Sequence, residues 1–329
     1  NSSDSSKNFN GEEGIKYAKA LLDYSNKPLT NNQKMLLPKG NNTDVLPLQY
    51  TCVLTPSTDD PNDKGVYFHY DDDLYYFVTK GKNQNNYHRK VIKKYAVDED
   101  SVLNIFAMPH HQDSIASKKY KGGRTGIALG NSVKIAGVNE HPPREAWRST
   151  TLVTHEVAHV FGLRHAWIKN DLCEDTPPNP NCWDQYGPPP CDSLLSNNMM
   201  DYNNSQLAIT PCQIGVMRSK IYDPNRKVRH LVEVDYCDYI PEKILIVQDS
   251  FHMDRVFNMK GDIVVEEGGY LKLSCQLHMP KGSKIIVNAG GTLDINGAYI
   301  YNDCGDLWGG IELLDAGKKK ARLITRGKY

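Results

Sequence analysis

One short stretch, Thr154-His155-Glu156-Val157-Ala158-His159-Val160-Phe161-Gly162-Leu163-Arg164-His165, carries three histidines and a glutamate at a spacing suited to metal chemistry. Neutral imidazole is a good zinc ligand, and helical residues four apart lie one turn above each other on the same face. His155 and His159 can therefore converge on one ion. Glu156 then stands beside the ion without binding it, where a general base takes a proton from water. Gly162 is free to adopt positive φ and stop the helix, which turns the chain and presents His165 as a third ligand. Three protein ligands and one open tetrahedral position mark a catalytic rather than a structural zinc site. A buried amphipathic helix that happens to contain histidines explains the pair His155 and His159. It does not explain a helix breaker and a third histidine at the distance the geometry needs.

HEVAHVFGLRH has the pattern HExxHxxGxxH, and Asn198-Met199-Met200-Asp201-Tyr202 lies downstream of it. In these two motifs the chain resembles the metzincin zinc metallopeptidases, the second being similar to their Met-turn. The pairing of Asp175-Thr176-Pro177 with Met200-Asp201-Tyr202 is most similar to the pappalysin and cytophagalysin family of secreted endopeptidases, over roughly residues 10 to 225. The resemblance implies an α+β, zincin-like catalytic domain with a twisted mixed sheet and an active-site helix. It implies one zinc ion on His155, His159 and His165, with Glu156 as general base. Tyr202 would project toward the metal as a second catalytic residue, and Met200 would pack below the site as an apolar floor. An edge strand within Ala128 to Val138 would line the upper rim of the cleft and pair with extended substrate. A calcium ion near Asp175 and Thr176, drawing also on Asp171 and Glu174, is a further implication. So are cross-links of first cysteine with third and second with fourth, Cys173–Cys191 and Cys182–Cys212. This chain departs from the family pattern in the later position of Cys212 and in the short interval from His165 to Asp175. The family's opening strand has no counterpart before Ile15, so the chain is expected to start just inside the fold.

Composition bounds the remaining classes. A chain of 329 residues is long for one core, so two domains are expected. Thirty-nine basic residues balance thirty-nine acidic ones with no basic block, which leaves no electrostatic footprint for a nucleic acid. No window reaches the eighteen or so apolar residues of a membrane span. Four of the eight cysteines fall between residues 173 and 212 without CxxC spacing, which favours disulfides and an exported, oxidising location. The polar start Asn1 to Lys7 has no apolar core, so an exported chain would already have lost its signal segment.

The elements that must position the site follow from periodicity. Ile15, Ala18, Leu21 and Leu22 predict a helix over Gly11 to Tyr24, and Tyr87 to Tyr95 and Thr210 to Tyr222 read as two more. Alternation predicts a strand over Val45 to Leu54 and a shorter one over Leu74 to Val78. Val102 to Met108 is the candidate central strand, and Ser132 to Val138 another. Gly122, Gly123 and Gly126 lack the flanking strand and lysine of a nucleotide loop and read as a flexible loop. Asp60 to Gly65 and Asp71 to Asp73 read as solvated turns, and His110, His111 and His141 as surface loop histidines. Leu172 to Pro211, rich in proline and asparagine, needs cross-links to hold its shape.

Composition shifts between Asp223 and Glu242, placing a catalytic domain at 1–228 and an all-β repeat domain at 229–329. In the second, Asp262-Ile263-Val264-Val265 is echoed by Lys284-Ile285-Ile286-Val287, and Gly268-Gly269-Tyr270-Leu271 by Gly290-Gly291-Thr292-Leu293, at a period of twenty-two. Short β-runs between glycine turns at that period predict a β-solenoid whose rungs stack, with a β-sandwich as the alternative. Trp308 to Leu314 is a partial third rung, and further rungs are expected past Tyr329. Cys275 and Cys304 are a candidate pair, and Cys52 and Cys237 stay unassigned. The combined reading is a secreted zinc-dependent endopeptidase acting on protein or peptide substrates, its β domain serving as a spacer or for docking to a glycan or surface. The alternative is a cell-surface adhesin with an inactive protease-like half. An intact Glu156 argues against that, since losing the base is the simplest way to silence such a site.

Overall fold

The computed structural model describes every residue except 4–7, 47, 49, 117–122, 138–144, 222, 224, 233–236, 255, 256, 303, 305 and 327–329. It divides into two compact units, Asn1–Val232 and Glu233–Tyr329.

In the first unit, helix α1 (Gly11–Thr30) buries Gly14, Tyr17, Leu21, Ser25 and Leu29, a stripe at three- and four-residue intervals. That stripe continues beyond Tyr24, so the helix does too, and Pro28 falls in its last turn. No strand forms over 45–54 among the described residues, contrary to expectation. The alternation is nevertheless used: Leu48 is buried in the core, and Leu46, Tyr50 and Cys52 pack against it. Side-chain amides replace a ladder. Asn26 both donates to Cys52 O and accepts from Cys52 N at 2.8 Å, and Asn32 donates to Leu46 O at 2.7 Å. An extended segment whose polar groups are met by asparagines needs no neighbouring strand. Leu74 to Val78 is likewise not a strand, although Phe77 and Val78 are fully buried.

Helix α2 covers only Lys90–Tyr95 of the helix expected from Tyr87. Strand β1 (Asn104–Met108), the short helix α3 (Gln112–Ile115), strand β2 (Thr125–Leu129) and strand β3 (Ser132–Ala136) follow. The sheet has the order β1-β3-β2, with β3 parallel to β1 and antiparallel to β2. The central strand is therefore β3, not the Val102 to Met108 run, and every residue of β3 is buried. Two of them, Val133 and Ile135, join the main core. The flanking Lys134 is buried as well, its Nζ donating to Asn85 O at 2.8 Å and His88 O at 3.0 Å. Helix α4 (Thr150–Val160) packs on β2, β3 and α1, and α5 (Pro211–Ile221) completes the unit. Val153, Val157, Phe161, Met200, Ile214 and Met217 meet Val133 and Ile135 in one core.

The second unit is a stack of parallel rungs. Strands β4 (Leu245–Val247), β5 (Ser250–Met253) and β6 (Phe257–Asn258) make the first, and β7 (Ile263–Val265), β8 (Tyr270–Leu273) and β9 (Gln276–His278) the second. The third consists of β10 (Ile285–Val287), β11 (Thr292–Asn296) and β12 (Tyr299–Tyr301), and the fourth of β13 (Ile311–Leu313) and β14 (Arg322–Arg326). They form three parallel sheets, β13-β10-β7-β4, β14-β11-β8-β5 and β12-β9-β6. Val264 pairs with Ile286 as the repeat requires, so the echo reflects stacking and the sandwich alternative falls. Ile263, Val265, Leu271, Leu273, Ile285, Val287 and Leu293 fill the interior with no exposure. A side chain at Gly269 would meet Val247 O at 2.2 Å and one at Gly291 would meet Val265 O at 2.8 Å, which is why a glycine recurs at that corner. The first rung escapes the repeat because Gln248 and Asp249 stand where the later rungs have their glycine pair.

Three disulfides close the two units: Cys173–Cys212, Cys182–Cys191 and Cys237–Cys304, with Cys52 and Cys275 free. The implied pairs Cys173–Cys191 and Cys182–Cys212 are thus corrected, as is Cys275–Cys304. Asp175 explains the first exchange. Its carboxylate accepts from Thr210 Oγ1 at 2.7 Å and from Cys212 N at 3.1 Å, which fixes the start of α5 against the Asp171 to Thr176 turn and leaves Cys212 beside Cys173, Cα to Cα 5.6 Å. In the tail, Cys275 turns into the solenoid interior, leaving Cys304 for Cys237. Three disulfides suggest an oxidising, extracellular compartment. Among the described residues no helix is long and apolar enough to cross a membrane.

Candidate metal centre

Helix α4 ends as the motif requires. Gly162 has φ +95°, its N–H reaches His159 O at 3.0 Å, and Leu163 N–H reaches Ala158 O at 3.0 Å. These two bonds are the Schellman pattern, and Val157 and Leu163 of the same turn both lie in the core. The chain leaves the helix sharply, and His165 returns to the face that carries His155 and His159.

Their Nε2 atoms converge: His159 Nε2 lies 3.1 Å from that of His155 and 3.1 Å from that of His165. His155 Nδ1 contacts Met199 O at 2.8 Å and His159 Nδ1 contacts Leu163 O at 2.8 Å. A carbonyl only accepts, so both protons sit on Nδ1 and both Nε2 atoms present bare lone pairs. Lone pairs facing each other at that distance repel unless a cation lies among them. A tetrahedral ion about 2.0–2.1 Å from each nitrogen would hold them roughly 3.3 Å apart, close to the spacing found. His155, His159 and His165 could therefore hold a metal ion. Burial reinforces this. It depresses His155 to a pKa of about 3 and His165 to about 4, each helped by the neighbouring His159, and it lowers His159 as well, so the rings stay neutral.

Glu156 is buried one residue along, between the histidines and β2. The Ala128 N–H points at its carboxylate and opposes the burial that raises its pKa to about 7. A Cβ at Gly126 would come within 2.6 Å of Glu156 Cγ, so the glycine expected in a flexible loop is in fact a strand position that makes room for this carboxylate. The edge strand facing the site among the described residues is thus β2, from which the Ala128 N–H faces Glu156. Val138 lies outside the described residues.

Tyr202 is half-exposed at the site, its ring 5.1 Å from His165 and 5.6 Å from His155, and burial, then the charges of Glu156 and Tyr87, raise its hydroxyl pKa. Met200 is fully buried in the core. Its neighbour Met199 meets the metal group through its carbonyl, which accepts from His155 Nδ1 at 2.8 Å and from Gln206 Nε2 at 3.2 Å, while the Met200 carbonyl accepts from Ala166 N at 3.3 Å. Asn198 holds this turn open through Met200 N at 2.8 Å and Gln213 Oε1 at 2.8 Å. Among the described residues no group of three carboxylates converges near Asp175 and Thr176. Asp171 accepts from Cys173 N and the Thr176 hydroxyl, and Asp175 is spent on Thr210 and Cys212. Cys173, Asp175 and Cys212 also converge, yet the two sulfurs are bonded to each other and are no longer thiolates. His110 is fully buried rather than on the surface, His111 caps α3 by accepting from Asp113 N at 3.2 Å, and His141 lies outside the described residues.

The sequence reading gave no role at the site to Met199, Leu163, Gln206, Gly126 or Trp167. The first three act through a main-chain carbonyl or an amide, which no residue pattern announces. Trp167, whose ring stacks on His165, had one available sign, an aromatic residue two positions beyond the third histidine.

No protein-family model matches this chain, and no curated protein or solved structure does.

Proposed function

We propose that the first unit is a secreted zinc-dependent endopeptidase. The observation that carries the proposal is the convergence of three neutral imidazole Nε2 atoms beside a buried glutamate at a sheet edge. The metzincin resemblance of the two motifs supports it. His155, His159 and His165 would hold zinc, which when bound supplies Lewis acidity toward a water and a peptide carbonyl. Glu156 takes the proton of the attacking water and delivers it to the leaving amine. A carboxylate held near neutrality by burial is suited to both halves of that transfer. The Tyr202 hydroxyl donates to the carbonyl oxygen as negative charge develops there. Gly126 and Ala128 place β2 where an extended peptide can lie along the sheet edge. The β-solenoid unit serves as a spacer or docks the enzyme to a glycan or surface.

The test is metal analysis of the purified chain together with cleavage of an unfolded protein, with and without a chelator. One zinc per chain and chelator-sensitive cleavage are expected. A chain that binds zinc and cleaves nothing would instead support the adhesin reading. Tyr202→Phe is expected to lower turnover by roughly ten- to a thousandfold with little change in KM.

A further inference from the structure

The three imidazoles of the metal group are not held alike. His155 and His159 rise from α4 and are each pinned by an Nδ1–H bond to a carbonyl, Met199 O and Leu163 O. His165 stands past the end of the helix, on a segment with no helical frame to limit its ring. Among the described residues its Nδ1 has no hydrogen-bond partner. What touches it instead is aromatic. The Trp167 ring lies on it at 4.0 Å between centroids and 15° between planes, and the Tyr202 ring meets it edge-on at 5.1 Å. Trp167 and Tyr202 also touch each other at 4.5 Å, so the two rings close around the histidine.

We infer that Trp167 is the positioning residue of the third metal ligand, doing by ring stacking what the Met199 and Leu163 carbonyls do by hydrogen bonding for the other two. The inference rests on the reading of His155, His159 and His165 as a metal site. The chemistry favours this pairing. An ion on His165 withdraws electron density from the imidazole, and the electron-rich face of an indole attracts a ring made positive in that way. The stack is therefore stronger with the ion bound than without it, and Trp167 contributes to metal affinity rather than only to the fold. The segment beneath is anchored independently of the indole, through Ala166 N–H to Met200 O at 3.3 Å and through the Trp167 N–H, which faces the buried Asp201 carboxylate. Trp167 lies outside the hydrophobic core, so truncating it leaves that core and the backbone anchors in place.

The test measures zinc affinity by competition with a chromophoric chelator for the wild-type chain, Trp167→Ala, Trp167→Phe and His165→Ala, alongside melting curves with and without zinc. Partners that orient a ligand typically contribute about 10–100-fold to affinity, and Trp167→Ala should lose that much. Trp167→Phe, which keeps a ring to stack, should stay within about threefold of wild type. The metal-free melting temperature of Trp167→Ala should match the wild type. Cobalt added to the wild type should quench tryptophan emission that Trp167→Phe no longer shows. Equal zinc affinity in Trp167→Ala and wild type overturns the inference while leaving the metal site standing. So does a melting temperature that falls equally with and without zinc, which would make the indole a structural residue. A wild-type chain that takes up no zinc, with His165→Ala indistinguishable from it, removes the metal site itself and the inference with it.

Discussion

His155 donates its Nδ1 proton to the carbonyl of Met199, 44 residues further along the chain, over 2.8 Å. That bond sets the tautomer of a metal-group histidine from a turn the helix knows nothing about, and it makes the 198–206 segment part of the site. Gln206 reinforces it by donating to the same carbonyl at 3.2 Å and to Asp201 O at 2.6 Å. Replacing Gln206 with leucine should weaken zinc binding by about tenfold, as losing a ligand's outer partner does. Chelator competition that finds the affinity unchanged would show that Met199 holds the ring unaided.

Separating the base from the ligands gives the sharpest pair of variants. Glu156→Gln keeps the three nitrogens and should retain one zinc per chain while turnover drops on the order of a hundred- to ten-thousandfold. His159→Ala should lose both zinc and turnover. Metal content and peptide cleavage on the same samples decide it, and full activity in Glu156→Gln would overturn the mechanism.

At Gly126 the added methyl of alanine would sit 2.6 Å from Glu156 Cγ and 2.8 Å from its Oε1. Either the glutamate or strand β2 must shift, at a cost of about 1–3 kcal/mol for overpacking. Gly126→Ala should therefore bind zinc normally yet lose most of its activity, with a lowered melting temperature. Unchanged kinetics would mean that the carboxylate is free to move aside and that its placement under β2 is not needed.

The histidine and glutamate pKa values act in opposite directions on the metal-free protein. His155 at about 3 and His165 at about 4, like the lowered His159, take up protons only after their unfolded counterparts have done so near 6.5. Acid therefore favours the unfolded chain, and stability falls as pH drops from about 6.5 toward 4. Glu156, raised to about 7, binds its proton earlier in the folded state, so its contribution falls as pH rises from about 4.5 to 7. Three groups oppose one, and melting of the metal-free chain should shift downward on acidification through the first window. Glu156→Gln removes the opposing contribution and should steepen that dependence. A metal-free melting temperature that rises between pH 6.5 and 4.5 would show that the histidines are not buried neutral.

Peptide mapping without reduction should recover Cys173 with Cys212, Cys182 with Cys191 and Cys237 with Cys304. By loop length, the 39-residue separation of the first pair corresponds to about 4 kcal/mol in the chain-entropy model, against about 3 kcal/mol for the nine-residue second. Replacing both Cys173 and Cys212 with serine should accordingly cost more stability than replacing Cys182 and Cys191. Recovery of a Cys173 to Cys191 peptide would contradict the fold around α5.

Much of this protein was legible in its sequence because the relevant physics is local. The spacing of His155 and His159 on a helix, the stop at Gly162 and the return of His165 follow from helix geometry and one positive φ, and the three nitrogens do meet. The twenty-two-residue echo was equally local. Stacked rungs repeat their own inward side chains and corner glycines, so Val264 over Ile286 could be read from spacing alone, while the first rung, without the glycine pair, was invisible. Alternation over 45–54 marks the inward face, on which Leu48 is buried and Leu46, Tyr50 and Cys52 pack against the core. It could not say that Asn26 and Asn32 would satisfy the backbone in place of a neighbouring strand. Nor could composition rank β1 and β3, because which strand is central depends on what lies on both sides of it. The pairing of Cys173 with Cys212 was decided by Asp175 holding the start of α5, the room for Glu156 by Gly126 across the sheet edge, and the tautomer of His155 by the Met199 carbonyl. Each of these joins groups distant in sequence through a main-chain atom or an excluded volume, and such partners exist only once the chain has folded.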